Sequence, residues 1–192
     1  MIEFINVSKS YEHPYELVLD RINLTFHDGI NVLMGASGRG KTTIANLIAG
    51  LIMPDDGAIT GLKGQKVSYH FQDDVLLDWE TALSNVLFVM KHPKNHEKQA
   101  IDLLVRAGLE DAVYKKAADL SGGMKRRAAL CRALIAEYDV LLLDEPFKGL
   151  DLKIKHQIMD MVKQTILPNK IVICITHDPA EAAYLGGTVV YM

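Results

Sequence analysis

Apolar and polar residues alternate with a period of two in the first part of the chain. The alternation is partial over 2–8 and 17–26, on either side of the turn residues Glu12, His13 and Pro14. A period of two places one face of a strand in the core and the other in water. We therefore predict two antiparallel strands at the start of the chain.

Farther along, short apolar runs alternate with helical patterns. The runs are typical of strands buried on both faces, and they lie at 30–34, 67–71, 139–143, 170–176 and 188–192. The helical patterns lie between them, at 42–51, 154–167 and 179–185. Alternating β and α units imply an α/β fold with a mainly parallel sheet and helices on both sides.

Residues 73–135 interrupt this alternation. They carry little strand pattern and several helical ones, including apolar residues at helical spacing over 96–109. We therefore predict a single domain, in which 1–72 and 136–192 form the core and 73–135 is a helical insert.

Composition and charge exclude several classes of partner. The 192 residues contain 21 Lys and Arg against 24 Asp and Glu, a formal charge of -3. Such a balance predicts no nucleic-acid partner. The start of the chain lacks the order of a signal peptide, and no apolar run approaches the roughly 18 residues that span a bilayer. We expect a cytosolic chain whose thiols, Cys131 and Cys174, are buried and reduced.

Residues 35–42, GASGRGKT, fit the phosphate-binding pattern G-x-x-x-x-G-K-[ST] between a predicted strand and a predicted helix. In such a loop, successive backbone N–H groups surround phosphate oxygens, and the helix adds its positive end. We expect a nucleoside triphosphate and Mg²⁺ here, with Lys41 on the β- and γ-phosphates, Thr42 on the metal and Thr43 on the α-phosphate side. The loop positions expected to contact phosphate are Gly35, Ser37, Gly38 and Gly40.

Polar side chains follow three other predicted strands. Asp144 ends the apolar run 139–143, and Glu145 comes next; Gln72 and His177 follow two further runs. Ligands of open α/β sheets bind outside the carboxyl ends of the strands, so these four residues are expected at one crevice. Asp144 is predicted to hold Mg²⁺ directly or through water, and Gln72 to contact Mg²⁺ or the attacking water. Glu145 is the predicted general base for water, and His177 a donor to the γ-phosphate.

A second anion site is predicted at Ser121, Gly122 and Gly123, which open a helical pattern with a hydroxyl and two glycines. Two other nucleotide-binding classes fit less well. A GTPase pattern, D-x-x-G, occurs at Asp119, but inside the helical insert and without the partner motif N-K-x-D. A small-molecule kinase would need an arginine-rich lid, whereas Arg126, Arg127 and Arg132 lie along one predicted helix, where a solvated or salt-bridged face is expected.

Taken in order, the phosphate loop, Gln72, LSGG, LLLDEP, Gly149-Leu150-Asp151 and His177 resemble the ATP-binding-cassette (ABC) ATPases over essentially the whole chain. The resemblance implies that two copies pair head to tail and that the LSGG segment of one copy caps the γ-phosphate held by the other. It implies that Tyr11 stacks on adenine and that Asp151 passes between the two sites. Met124 and Lys148 depart from the family pattern, which has Gln and commonly a small residue there.

The segment 71–86 looks like that of bacterial importer ATPases of the nitrate, sulfonate and taurine type, although Asp78 replaces the usual proline. This implies membrane permease subunits, a solute-binding protein and a position on the cytoplasmic face of the membrane. The chain stops soon after His177, where such ATPases usually continue. We expect no regulatory C-terminal domain, and a trimmed final strand or helix is a further interpretation of the short end. A soluble ABC ATPase that serves as an assembly or scaffold factor is the alternative.

Three apolar residues after Gln72 are expected to contact a membrane subunit. Leu76, Leu77 and Trp79 would border the groove that receives one of its helices. The alternative is that all three pack inside the helical insert.

Overall fold

The computed structural model describes residues 1–12 and 15–192, so the predicted turn residues His13 and Pro14 lie outside the described residues. The strands are β1 (Ile2–Glu12), β2 (Tyr15–Phe26), β3 (Gly29–Met34), β4 (Asp56–Thr60), β5 (Val67–His70), β6 (Val140–Asp144), β7 (Ile171–Ile175) and β8 (Thr188–Tyr191). The helices are α1 (Lys41–Ile48), α2 (Ala82–Leu87), α3 (Pro93–Arg106), α4 (Gly122–Ile135), α5 (Leu152–Thr165) and α6 (Pro179–Leu185), with short 3₁₀ turns at Glu110–Ala112 and Ala117–Asp119.

An antiparallel sheet with the order β2–β1–β4 lies in the first of two compact units, which comprises residues 1–67, 138–144 and 167–192. Phe4 of β1 pairs with Leu24 on one side and with Ile59 on the other. The pairing of β1 with β2 confirms the predicted antiparallel strands. Strand β4 was not predicted, because its sequence DGAIT holds one large apolar residue and two residues that strands disfavour.

The first unit also contains a parallel sheet in which the strands follow the order β6–β7–β3–β8. Every residue of β6 and of β7 is buried, as expected for strands covered on both faces. Ile175 of β7 pairs with Asp144 on one side and with Leu33 on the other. The carboxyl ends of β6, β7 and β3 therefore lie at one edge of the sheet.

The second unit comprises residues 68–137 and 145–166 and carries α2, α3, α4 and α5. Arg127 of α4 donates to the carbonyls of Ala107 and Gly108, at the end of α3. Gln157 of α5 donates to the carbonyl of Arg106, 2.8 Å away. The residue contacts thus group α5 with the helical segment, while the predicted role of 73–135 as a separate subdomain stays a prediction.

The predicted fold class is confirmed: an antiparallel β part, a mainly parallel sheet and a helical part are all present. Cys131 and Cys174 are free and buried, as predicted, and burial raises the pKa of the Cys131 thiol to about 12. Within the described ranges, 1–12 and 15–192, no helix is long and apolar enough to cross a membrane.

Candidate active site

The phosphate-binding loop connects β3 to α1 and depends on glycine where it meets the helix. Gly40 precedes α1 with a φ of 85°, in the left-handed region that side chains disfavour. A Cβ at Gly40 would lie 2.7 Å from Leu19 Cδ2 and 2.8 Å from Val18 Cγ1. Any other residue would therefore displace β2 or the loop, and the helix would begin in a different position.

Lys41 carries a positive charge into the middle of this loop. Its Nζ donates to the carbonyl oxygens of Gly35 and Ala36, each 2.8 Å away, and the residue is buried. Ser37 and Gly38 are exposed in the same loop, so a ligand can approach the backbone from solvent. An ammonium among backbone N–H groups at a helix start is suited to bind phosphate.

Thr42 and Asp144 meet beside the loop, as expected from their positions after β3 and at the end of β6. Thr42 Oγ1 donates to Asp144 Oδ2 at 2.8 Å. Adjacent ligand oxygens of octahedral Mg²⁺ are about 2.9 Å apart, since each lies roughly 2.1 Å from the ion. The two oxygens therefore fit neighbouring positions on Mg²⁺. The described residues contain no cluster of three acidic, histidine or cysteine ligands.

Tyr11 of β1 lies next to the start of α1. Its hydroxyl is 3.4 Å from Thr43 Oγ1, and the residue is 40% exposed. An exposed aromatic ring beside the residue expected near the α-phosphate can contact an adenine base. The structure thus brings Tyr11 close to the phosphate loop, although 32 residues separate it from Thr43.

His177 follows β7 in a segment that is fixed on both sides. Thr176 is buried and donates through its hydroxyl to Glu181, 2.5 Å away. Asp178 caps α6 by accepting from the backbone N–H of Ala180. His177 itself is exposed between these anchors. Because β7 lies between β6 and β3, His177 follows the strand end that neighbours both Asp144 and the phosphate loop.

In the second unit, Ser121 and two glycines open α4. Ser121 Oγ accepts from the backbone N–H of Met124, 3.4 Å away. A Cβ on Gly122 would meet no atom within 4 Å, and Gly122 and Ser121 are exposed. The start of α4 therefore presents backbone donors and a hydroxyl to solvent, with no acidic residue in the first turn.

The other predicted residues of the second unit occupy helix caps and strand ends. Asp151 caps α5 by accepting from the N–H of Ile154 at 3.0 Å. Gln72 is exposed two residues after β5, and Glu145 directly follows Asp144 with a φ of 46°. Their roles toward a nucleotide remain predictions.

Sequence reasoning missed a polar cluster around Asn85 in the second unit and did not identify the partners of Arg126. Asn85 of α2 is fully buried, and its amide contacts the backbone of Leu77 and Thr81. Arg126 of α4 forms an ion pair with Asp74. Burial raises the pKa of Asp74, and the adjacent Arg126 guanidinium opposes this shift. The sequence shows only an Asn at position 85, whose burial is visible in the structure alone. The partners of Arg126 depend on contacts between distant segments.

Trp79 is 70% exposed, so the alternative that it packs inside the insert is wrong for this residue. Leu76 and Leu77 are partly exposed. The segment 78–83 pairs through its backbone with 113–118, where Tyr114 is 71% exposed. Two large aromatic side chains thus face solvent on paired segments.

Comparison with known proteins gives concordant matches. The family model described as ABC transporter matches residues 19–148. The bicarbonate transport ATP-binding protein CmpD of Synechocystis sp. is 39% identical over 204 residues, which cover 97% of this chain and 72% of that protein. The taurine import ATP-binding protein TauB of Pseudomonas fluorescens is 36% identical over 198 residues, covering 97% of this chain and 75% of that protein.

Solved structures agree with these relatives. A dimeric structure of MJ0796, described as a bacterial ABC transporter cassette, superposes with a TM-score of 0.88 at 30% identity, covering all of this chain and 94% of the other. A second dimeric structure of MJ0796, described as a post-hydrolysis state bound to ADP and Pi, gives a TM-score of 0.87 at 28% identity, with the same coverage.

Proposed function

The chain belongs to the ABC transporter family and is an ATPase, and on that premise we propose that it is the ATP-hydrolysing subunit of a bacterial importer, working as a head-to-tail dimer. The observation that carries this proposal is the contact between Thr42 and Asp144 beside Lys41, which combines a metal-binding pair with a phosphate-binding loop. Mg²⁺ is the cofactor that these oxygens fit.

Lys41, the loop backbone and Tyr11 would hold the nucleotide. The Lys41 ammonium would leave its two carbonyl contacts and bind the β- and γ-phosphate oxygens. It would bind these oxygens more strongly than the carbonyls because they are charged. Thr43 would contact the α-phosphate side, and Tyr11 would stack on adenine. Thr42 and Asp144 would hold Mg²⁺, which offsets charge on the phosphate oxygens when bound.

Hydrolysis requires a base for the attacking water and donors for the developing charge. Glu145 would accept the proton, and Gln72 would orient the water or contact the metal. His177 would donate to the γ-phosphate, since its segment is fixed by the Thr176–Glu181 hydrogen bond and the Asp178 cap. Water attacks the γ-phosphorus, the bond to the β-phosphate oxygen breaks, and ADP and phosphate leave.

The exposed start of α4 would serve the partner's nucleotide. Ser121, Gly122 and Gly123 of one copy would cap the γ-phosphate held by the other, because a helix start and a hydroxyl can replace the water around an anion. ATP would thereby join the two copies, and loss of phosphate after hydrolysis would weaken them. Asp151, at the start of α5, would pass between the two sites.

Trp79 and Tyr114 would form the docking surface for a membrane permease subunit. Large exposed aromatic side chains on neighbouring segments are typical of protein interaction sites. The chain would lie on the cytoplasmic face of the membrane through this contact. A solute-binding protein on the other face would complete the importer; the relatives named above are a bicarbonate transport and a taurine import ATP-binding protein.

The proposal is tested with Glu145→Gln. This variant should bind MgATP without hydrolysing it, so that ATP-bound dimers persist and gel filtration shifts from monomer to dimer. Near-normal turnover would remove Glu145 from the mechanism. Co-purification with a membrane permease, lost in Trp79→Ala, supports the importer; an active ATPase dimer with no membrane partner in its cells supports the assembly-factor alternative.

A further inference from the structure

We propose that Arg126 is a positioning residue for Glu145 and acts through Lys148, an inference that rests on the proposed role of Glu145 as the general base. All the residues involved lie in the second unit. Asp74 anchors Arg126, Arg126 holds the backbone of Lys148, and Lys148 holds Glu145.

Arg126 connects two segments that are far apart in sequence. Its Nε and Nη2 donate to the two carboxylate oxygens of Asp74, at 3.2 and 3.3 Å, while Nη1 donates to the carbonyl oxygen of Lys148 at 2.5 Å. A planar guanidinium that binds a carboxylate through two bonds has a fixed orientation. The side chains of Arg126 and Asp74 are 21% and 13% exposed, so solvent weakens this pair less than a surface pair.

Lys148 in turn contacts Glu145 twice. Its backbone N–H donates to the carbonyl of Glu145 at 3.2 Å, and its Nζ lies 3.0 Å from Glu145 Oε2. The family resemblance gave no explanation for a lysine at this position, where a small residue is commoner. In the structure, this lysine contacts Glu145, the predicted base, and Arg126 binds the carbonyl of the same lysine.

The backbone of Glu145 needs such support. Its φ of 46° lies in the left-handed region, which residues with a Cβ disfavour and which persists only where surrounding contacts hold it. The turn that follows Glu145 is closed by Lys148 N–H and fixed by Arg126. Loss of Arg126 should therefore leave the carboxylate of Glu145 less well placed for the attacking water.

A neighbouring ion pair provides a matched control. Lys125, also on α4, donates to Asp78 at 3.0 Å, and so joins the same helix to the same segment that contains Asp74. Among the contacts of the described residues, its side chain contacts Asp78 and not Lys148. Lys125→Met thus removes a cation from the same helix without releasing the turn after Glu145.

The experiment measures turnover and KM for MgATP in Arg126→Met, made in the wild-type chain and in Glu145→Gln. In the wild-type background, kcat should fall roughly ten- to a hundred-fold, the range for a lost charge-assisted hydrogen bond and a misplaced catalytic group. KM should change by less than about two-fold, because the phosphate loop is intact. In Glu145→Gln, Arg126→Met should cause no further loss of the residual turnover. Lys125→Met should keep wild-type turnover.

Arg126→Lys is the second variant, in case the methionine chain does not fold. It keeps a cation beside Asp74, yet one ammonium cannot reproduce the paired bonds to the carboxylate and the bond to the carbonyl together. Its kcat should lie below that of wild type at an unchanged melting temperature.

Three results would overturn the inference. An equal loss in both backgrounds would show that Arg126 acts on stability and not through Glu145. If Glu145→Gln is inactive but folded Arg126→Met keeps the wild-type kcat, the positioning role alone is refuted. If Arg126→Met does not fold, an unchanged kcat in Arg126→Lys refutes it in the same way. Near-wild-type turnover of Glu145→Gln would refute the proposed base and, with it, the positioning role.

Discussion

Replacing the buried Asn85 with alanine should destabilise the turn that presents Trp79. Asn85 is fully buried, and its Oδ1 accepts from the N–H of Leu77 at 2.7 Å. Its Nδ2 donates to the carbonyls of Leu77 and Thr81, at 3.1 and 3.0 Å. One side chain thus joins α2 to both ends of the segment 77–81, and Trp79 lies between these contacts.

The size of the effect follows from which groups lose their partners. In Asn85→Ala, the carbonyl of Leu77 still accepts from Glu80 N–H, and the carbonyl of Thr81 still accepts from the N–H of residue 85. The N–H of Leu77, in contrast, loses its acceptor. Leu77 is only partly buried, so its unsatisfied N–H costs about 1 kcal/mol, the lower end of the range for a buried donor, and two further hydrogen bonds contribute about 1 kcal/mol each. The total is about 3 kcal/mol, or a decrease of roughly 6–12 °C in melting temperature for a chain of this size.

The assay is thermal unfolding of the purified chain, followed by circular dichroism. Asn95→Ala, which changes an exposed residue of α3, is the matched control and should melt within about 2 °C of wild type. Asn85→Ala should also lose binding to the permease, because its turn no longer fixes Trp79. A melting temperature for Asn85→Ala equal to that of the Asn95→Ala control would refute this reasoning.

Two further predictions concern the phosphate loop and the stability of the second unit. Lys41→Ala should weaken MgATP binding at least about tenfold in calorimetry, because the ammonium in the loop is lost. Arg39→Ala changes an exposed residue of the same loop and should leave the affinity unchanged. Equal affinities of the two variants for MgATP would refute the role of Lys41. Burial lowers the pKa of His70 from its ordinary value of 6.5 to about 4, so the unfolded chain binds a proton that the folded chain does not. The free energy of unfolding contributed by His70 is complete above pH 6.5 and should fall by about 2 kcal/mol between pH 7 and pH 5. Urea titrations of His70→Gln should no longer show this loss. An unchanged pH dependence in the variant would contradict the prediction.

The sequence predicted those parts of the site that depend on short spacings and on strand ends. The phosphate loop occupies eight consecutive residues between a strand and a helix, so its pattern is local. Asp144 and His177 were predicted to converge because parallel strands end at one edge of a sheet, and the pairing of β6, β7 and β3 agrees with that rule.

The features that were missed depend on long-range contacts. Strand β4 has a weak pattern and is specified by the free edge of β1, with which it pairs. Arg126 was expected on a solvated or salt-bridged face; its ion pair with Asp74 fits that expectation, but its bond to the carbonyl of Lys148 could not be foreseen. Hydrogen bonds to a backbone carbonyl leave no compositional signal, and 22 residues separate the two partners.

The most direct test of the central claim, that one copy completes the other's ATP site, mixes two inactive variants. Lys41→Ala removes the phosphate-binding cation, and Ser121→Arg places a bulky side chain at the exposed start of α4. Each homodimer then has two defective sites and should be nearly inactive. In a mixed dimer, one site combines the intact loop of one chain with the intact Ser121 of the other, while the second site carries both lesions.

An equal mixture should therefore recover roughly a quarter of the wild-type sites, provided that pairing is random and the sites act independently. Mixed dimers are verified by affinity capture through a tag on one variant, and ATPase activity is then measured on the captured fraction. The account predicts that activity appears only in the mixed dimers. Captured mixed dimers with independent sites and no activity above that of either homodimer would contradict it.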